Sequence, residues 1–123
     1  MSKIKCRNMS FALTISQIQA HTKDVTRRDK WLHAKPGMLL RPVNKVMGFK
    51  KGEKPEPLIP GWLIRVLSVR REPLEDITQL DVMREGFPEM TPAEFVAMYR
   101  KHSKASEVTR IEFEYVMEDS LDG

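Results

Sequence analysis

His21-Thr22-Lys23-Asp24-Val25-Thr26-Arg27-Arg28 is the stretch that decides how this chain is read. Three cations and two threonines fall within eight residues, and Asp24 is the only acid among them. The segment follows an apolar-periodic stretch that predicts a helix from Thr14 or Ser16 to about His21, with Ile15 and Ile18 on its buried face. Threonine and valine favour extended backbone, where successive side chains point to opposite faces. Lys23–Arg28 is therefore expected to be a strand, with Lys23, Val25 and Arg27 on one side and Thr22, Asp24, Thr26 and Arg28 on the other. A helix end feeding a strand of cations and hydroxyls is expected to form one wall of an anion or nucleotide pocket.

Upstream, Met9–Leu13 predicts a short strand behind a basic leader, residues 1–8. Downstream, Trp31 and His33 occupy a connector that ends in the turn signal Lys35-Pro36-Gly37. Met38–Val43 predicts a strand, at an edge or with a bulge because Pro42 cannot donate to a ladder. The proline- and glycine-rich residues 48–61 predict a flexible flap without a phosphate-cradling glycine motif. Trp62–Arg70 carries apolar residues on both faces and predicts a central strand ended by Pro73. Trp62, Ile64, Val66 and Ser68 lie on one face, with Leu63, Leu67 and Val69 on the other. Leu74 to about Glu85 predicts a helix closed by Gly86. Thr91-Pro92-Ala93-Glu94 opens another helix, with Phe95, Met98 and Tyr99 as its buried stripe. Val108–Val116 alternates as a closing strand with Ile111, Phe113 and Tyr115 on one face, before a frayed acidic tail. The sum is an α+β domain: a small mixed β-barrel flanked by helices, spanning residues 1–123 as one unit with its core in about 9–116.

Composition bounds the function. Apolar residues make up 41% and charged residues 31% of the chain, as in an ordinary globular domain. No apolar run approaches the roughly 18 residues of a membrane span, and no apolar stretch follows the basic leader as in a secretory signal. Cys6 is the single cysteine, so a reducing, cytoplasmic setting is the expectation. The net charge of +4 conceals an asymmetry: residues 1–70 hold 15 Lys/Arg against 4 Asp/Glu, and residues 71–123 hold 6 against 13. Such a split fits a polyanion-facing surface built by the first half, or two halves that interleave and neutralise one another. His21, His33 and His102 are not spaced as metal ligands, and no metal or cofactor is expected.

The order of these elements and three short motifs resemble the ASCH domain, a relative of the PUA fold. Members carry a Gly-x-Lys-x-x-Thr-x-Arg signature after the first helix. This chain matches it at Lys23, Thr26 and Arg28, with His21 in place of the glycine. Lys35-Pro36-Gly37-Met38-Leu39-Leu40 resembles the family's turn into the next strand, with Met38 where an acid often stands. Arg84-Glu85-Gly86-Phe87 and the Ile111–Tyr115 ending complete the likeness, over roughly residues 9–116. The resemblance implies a PUA-like barrel that recognises RNA or a nucleoside-like ligand in a cleft. One bacterial branch hydrolyses N4-acetylcytidine with a lysine, a threonine and a glutamate, which match Lys23, Thr26 and Glu85.

The residues allow that chemistry. Amide hydrolysis needs a nucleophile, a base and donors for the developing oxyanion. Thr26 is the candidate nucleophile, Lys23 the candidate base and Glu85 the group that shuttles a proton or orients the lysine, while Arg28 is a candidate to hold a carbonyl or phosphate oxygen. On a regular strand Lys23 and Thr26 face opposite ways, so a bulge or turn at Asp24-Val25 is required. A structural Lys23–Glu85 ion pair accounts for the same residues without catalysis. Lys30 and Trp31 are further candidates for ligand contact, since an indole beside cations can stack a base. Arg27 is expected to be a solvated cation and Trp62 a core residue. The leading expectation is a module binding RNA or a nucleoside-like ligand. An amidohydrolase is the alternative, and a protein-interaction adaptor is the third if the cleft is closed.

Overall fold

The computed structural model describes residues 6–121. Five strands form one sheet: β1 (Arg7–Ser10), β2 (Val25–Arg28), β3 (Leu39–Val43), β4 (Trp62–Pro73) and β5 (Glu107–Met117), in the order β1-β3-β4-β5-β2. Three helices accompany it: α1 (Ile15–Gln19), α2 (Gln79–Arg84) and α3 (Pro92–Arg100). β4 and β5 pair antiparallel along nearly their whole length and form the central ribbon. β1 joins β3 in parallel, and β2 joins β5 antiparallel.

The mixed α+β architecture is as expected, whereas the barrel is not closed. β1 and β2 are the two edges of an open sheet, four residues each, with no ladder between them. A side chain crosses the seam instead: the Arg28 guanidinium donates to the Ser10 carbonyl at 2.6 Å.

β4 is the middle strand and ends at Pro73, as its two apolar faces indicated. Its register slips between Val66, opposite Phe113, and Ser68, opposite Glu112. The extra residue is Leu67, which is 44% exposed. A bulge reverses the alternation beyond it. Val69, opposite Ile111, thus packs on the same cluster as Ile64 and Val66, and Ser68 does not take the face expected for it.

Other expectations shift locally. The first strand lies at Arg7–Ser10 rather than Met9–Leu13, and α1 buries Ile18 but leaves Ile15 exposed. Pro42 sits in β3 where only the β1 side is laddered, because pairing with β4 stops at Leu40. The 48–61 segment is not wholly a flap, since Leu58 and Ile59 are buried in the main cluster. The expected long helix after β4 is a 3-10 turn, Leu74–Asp76, followed by α2. In the tail, Glu118–Leu121 forms a 3-10 turn, with Glu118 paired to Arg41 at 3.1 Å, so this part is not frayed. Lys3 and Lys5 of the basic leader and the last two residues lie outside the described residues.

Two apolar clusters result. The larger gathers Met9, Phe11, Ile18, Leu40, Ile64, Val66, Ile111 and Phe113 among others between the sheet and α1. The smaller joins Leu74, Ile77, Val82, Phe95 and Val108 beneath α2 and α3. No helix among the described residues is long and apolar enough to cross a membrane.

Candidate functional site

A cavity of about 260 Å³ opens beside the seam between the two edge strands. Its wall takes Phe11 from the larger cluster and Phe87, Phe95, Met98 and Tyr99 from the smaller one and its surround. Ser10, the last residue of β1, and Ala12 to Thr14 beyond it line the cavity as well. Lys23, Thr26, Arg27, Arg28 and Glu85 supply its polar side.

Lys23 reaches this cavity because it precedes the regular strand. α1 is followed, after Ala20, by His21, whose φ of +58° is the left-handed conformation that a glycine at this signature position adopts freely. The imidazole stacks on Tyr115 at 4.1 Å and meets Trp62 edge-on at 4.8 Å, contacts that a glycine cannot make. Trp62 itself is only partly buried, packed against the rim of the core. The Tyr115 hydroxyl then donates to the Lys23 carbonyl at 2.5 Å. The Asp24 N–H donates to the Arg84 carbonyl, and the Phe113 N–H to the Asp24 carbonyl. Lys23 and Asp24 are thus tied down before β2 begins at Val25, and strand alternation does not govern Lys23. No bulge within β2 is needed to place Lys23 and Thr26 on one cavity.

Glu85 arrives from the other direction. α2 is capped by Thr78, whose hydroxyl accepts from the Asp81 N–H, and it closes at Gly86 with φ +103°. The Gly86 N–H bonds to the Met83 carbonyl and the Phe87 N–H to the Val82 carbonyl, the paired closure typical of a glycine-terminated helix. The Glu85 carbonyl is left over, and Lys23 Nζ donates to it at 2.9 Å. The same ammonium meets Glu85 Oε1 at 2.7 Å, with the two side chains only 3% and 4% exposed. Burial pulls the Lys23 amine below its ordinary value, against the opposing pull of Glu85. Two of its three N–H donors are engaged, which leaves one for a ligand.

Arg27 is buried rather than solvated. Its guanidinium spans Glu85 Oε2 at 3.1 Å, Glu72 at 3.0 Å and Asp81 at 2.5 Å, and Arg110 clamps Asp81 from the other side at 2.6 Å. Burial alone would raise the Asp81 carboxyl, yet hydrogen bonds from Arg110 and Arg27 outweigh it and hold it well below the usual range. Glu85 is therefore fixed by a cation on each oxygen. Basic first-half residues and acidic second-half residues pair here in the interior and at the exposed Arg65–Glu114, so part of the sequence asymmetry is neutralised within the fold.

Thr26 is buried, and its hydroxyl accepts from Arg28 Nε at 3.3 Å. Lys30 is exposed and Trp31 half-buried, stacked on His33 at 4.9 Å; neither lines the cavity. The aromatic wall was hidden in the sequence because Phe95, Met98 and Tyr99 have helical core spacing. Tyr99 turns its hydroxyl to Asp29 at 2.6 Å, and burial together with that carboxylate pushes the phenol upward. Among the described residues, no three His, Cys, Asp or Glu side chains are grouped to hold a metal ion.

No family model and no curated protein matches the chain by sequence. Solved structures do match by shape. An ASCH domain from Lactobacillus crispatus JV V101 superposes with a TM-score of 0.67 at 12% identity, over 92% of this chain and 80% of its own. A hypothetical protein, PH0355, gives 0.64 at 18% identity over 91% of this chain and all of its own. Protein EF3133 from Enterococcus faecalis V583, of the DUF984 family, gives 0.59 at 13% identity over all of this chain and 84% of its own. Identities this low speak to architecture, and the architecture of this chain is similar to that of the ASCH domain structure.

Proposed function

We propose that the chain is an ASCH-type module whose cavity binds a nucleoside-like ligand. The observation that carries this is the buried Lys23–Glu85 pair, set with Thr26 and Arg28 on one cavity that Phe11, Phe87, Phe95 and Tyr99 also line. Those rings offer faces for a heterocyclic base, and the spare Lys23 donor and the Thr26 hydroxyl can reach its polar edge. About 260 Å³ lies just below the roughly 300–1,000 Å³ typical of ligand pockets, room for one nucleoside and not for a run of nucleotides. RNA would therefore be held through a single nucleotide unit. Equilibrium dialysis with N4-acetylcytidine, cytidine and guanosine tests the assignment. Saturable binding of a pyrimidine nucleoside that is lost in Lys23→Ala is expected; no retention of any of the three opposes it.

A second reading, hydrolysis of N4-acylated cytidine, is favoured by the lowered pKa of Lys23, the direction that a lysine base requires. In that reaction Thr26 Oγ1 bonds to the acyl carbon while its proton passes to Lys23. The C–N4 bond then breaks as the proton returns to the leaving amine, and water releases the acid from Thr26. Release of cytidine from N4-acetylcytidine that disappears in Thr26→Ala is expected. Absence of turnover at high protein concentration removes catalysis and leaves binding to be judged by dialysis.

A further inference from the structure

The charges around the cavity do not balance. Five cations, Lys23, Arg27, Arg28, Arg70 and Arg110, meet three carboxylates, Glu72, Asp81 and Glu85. Arg27 and Arg110 share Asp81, Arg27 and Arg70 share Glu72, and Glu85 is divided between Arg27 and Lys23. Arg28 receives none of them; among the described residues it has no carboxylate partner. Its Nε donates to the Thr26 hydroxyl and its Nη2 to the Ser10 carbonyl, both neutral acceptors. Nη1 has no partner among the described residues, and the guanidinium carbon lies 4.9 Å from the centre of the Phe11 ring.

Neutral acceptors and a ring face orient a guanidinium without cancelling its charge. Glu85 attracts this cation without touching it. A partly buried guanidinium with no carboxylate in contact is costly, and the remedy is an anion entering from the open side. A carbonyl on a neutral ligand would satisfy Nη1 but leave the charge standing. A phosphate oxygen does both, in the planar geometry that guanidinium favours.

We infer that Arg28 holds a phosphate monoester, so that the ligand of this cavity is a nucleoside monophosphate rather than a free nucleoside. This rests on the assignment of the cavity to a nucleoside-like ligand. The same phosphate can belong to a free nucleotide or to the 5′ end of an RNA, and Arg28 recognises the group common to both.

Calorimetric titration of the wild-type protein with N4-acetylcytidine, its 5′-monophosphate and inorganic phosphate separates the possibilities. The monophosphate is expected to bind at least about tenfold tighter than the nucleoside, the scale of one charge-assisted hydrogen bond. Arg28→Met should bring the two affinities together. Equal wild-type affinities overturn the inference and leave the nucleoside site intact. Phosphate binding without binding of the nucleoside or its monophosphate keeps the anion site and overturns the nucleoside assignment, whereas no binding of any probe overturns both. A 5′-phosphorylated trinucleotide identifies the source: tighter binding than the monophosphate points to an RNA end, and equal or weaker binding to the free nucleotide.

Discussion

Lys23 Nζ lies 2.7 Å from Glu85 Oε1 with both side chains withdrawn from solvent, although 62 positions separate the residues in sequence. Removing one partner of such a pair strands the other charge, at a typical cost of about 3–5 kcal/mol. Glu85→Ala should therefore be the more damaging single change, because it strands both Lys23 and the Nη1 of Arg27. Adding Lys23→Met to Glu85→Ala should recover part of the loss. Urea unfolding of the single and double variants measures it, and a double variant weaker than Glu85→Ala alone would contradict the pairing.

Gly86 ends α2 with φ +103°, and a Cβ there would stand 2.7 Å from Gln17 Cγ. Gly86→Ala should destabilise by about 1–3 kcal/mol from the backbone conformation, with the contact added. Gln17→Ala in the same chain removes the Cγ contact but keeps the Gln17 Cβ at 3.0 Å and deletes the bond from Gln17 Nε2 to the Gly86 carbonyl, so it cannot restore wild-type stability. Thermal unfolding of Gly86→Ala, Gln17→Ala and the double variant reports the division.

Thr91 and Glu94 close a reciprocal capping box at the start of α3, the helix that presents Phe95, Met98 and Tyr99 to the cavity. Thr91→Ala should cost about 1 kcal/mol of stability. Thr91→Ser, which keeps the hydroxyl, should lie close to wild type. Equal losses in the two variants would show that the cap is not what holds the helix start.

Acid sensitivity follows from the buried carboxylates. Burial would raise Glu72 and Asp81, but Arg70 and Arg27 on Glu72, and Arg110 and Arg27 on Asp81, outweigh it and lower both. A carboxylate lowered in the folded state contributes its full stabilisation above its unfolded pKa and loses it as the pH falls towards the folded one. Stability should thus begin to fall as the pH drops below the ordinary values of 4.5 and 3.8. Asp81→Asn should be less stable at neutral pH and show a shallower decline in acid. A slope unchanged by Asp81→Asn would place the acid sensitivity elsewhere.

Much of this architecture was legible in the chain. Apolar residues on both faces marked β4, clean alternation marked β5, and Thr91-Pro92-Ala93-Glu94 and Gly86 marked a helix start and a helix end. What escaped were features set by long-range contacts. The open seam depends on how two four-residue edge strands sit relative to one another, which no local pattern encodes. Leu67 looks like any apolar strand residue, and its bulge arises only against β5. In the site, the residue types at Lys23, Thr26 and Glu85 were visible, but their access to one cavity depends on β2 starting at Val25. Arg27 was misjudged because cations in a basic run are usually solvated. Its three carboxylate partners come from positions 45 to 58 residues away.

The central claim is that the cavity beside the β1–β2 seam takes a nucleoside-like ligand. Backbone and side-chain chemical-shift mapping during titration with N4-acetylcytidine tests it most directly. Saturable shifts are expected at Lys23, Thr26, Arg28, Glu85, Phe87 and Tyr99, while Leu80 and Met83, which line a second groove with Trp62, Leu67 and Tyr115, stay unmoved. Shifts confined to that second groove, or none up to millimolar nucleoside, would contradict the assignment.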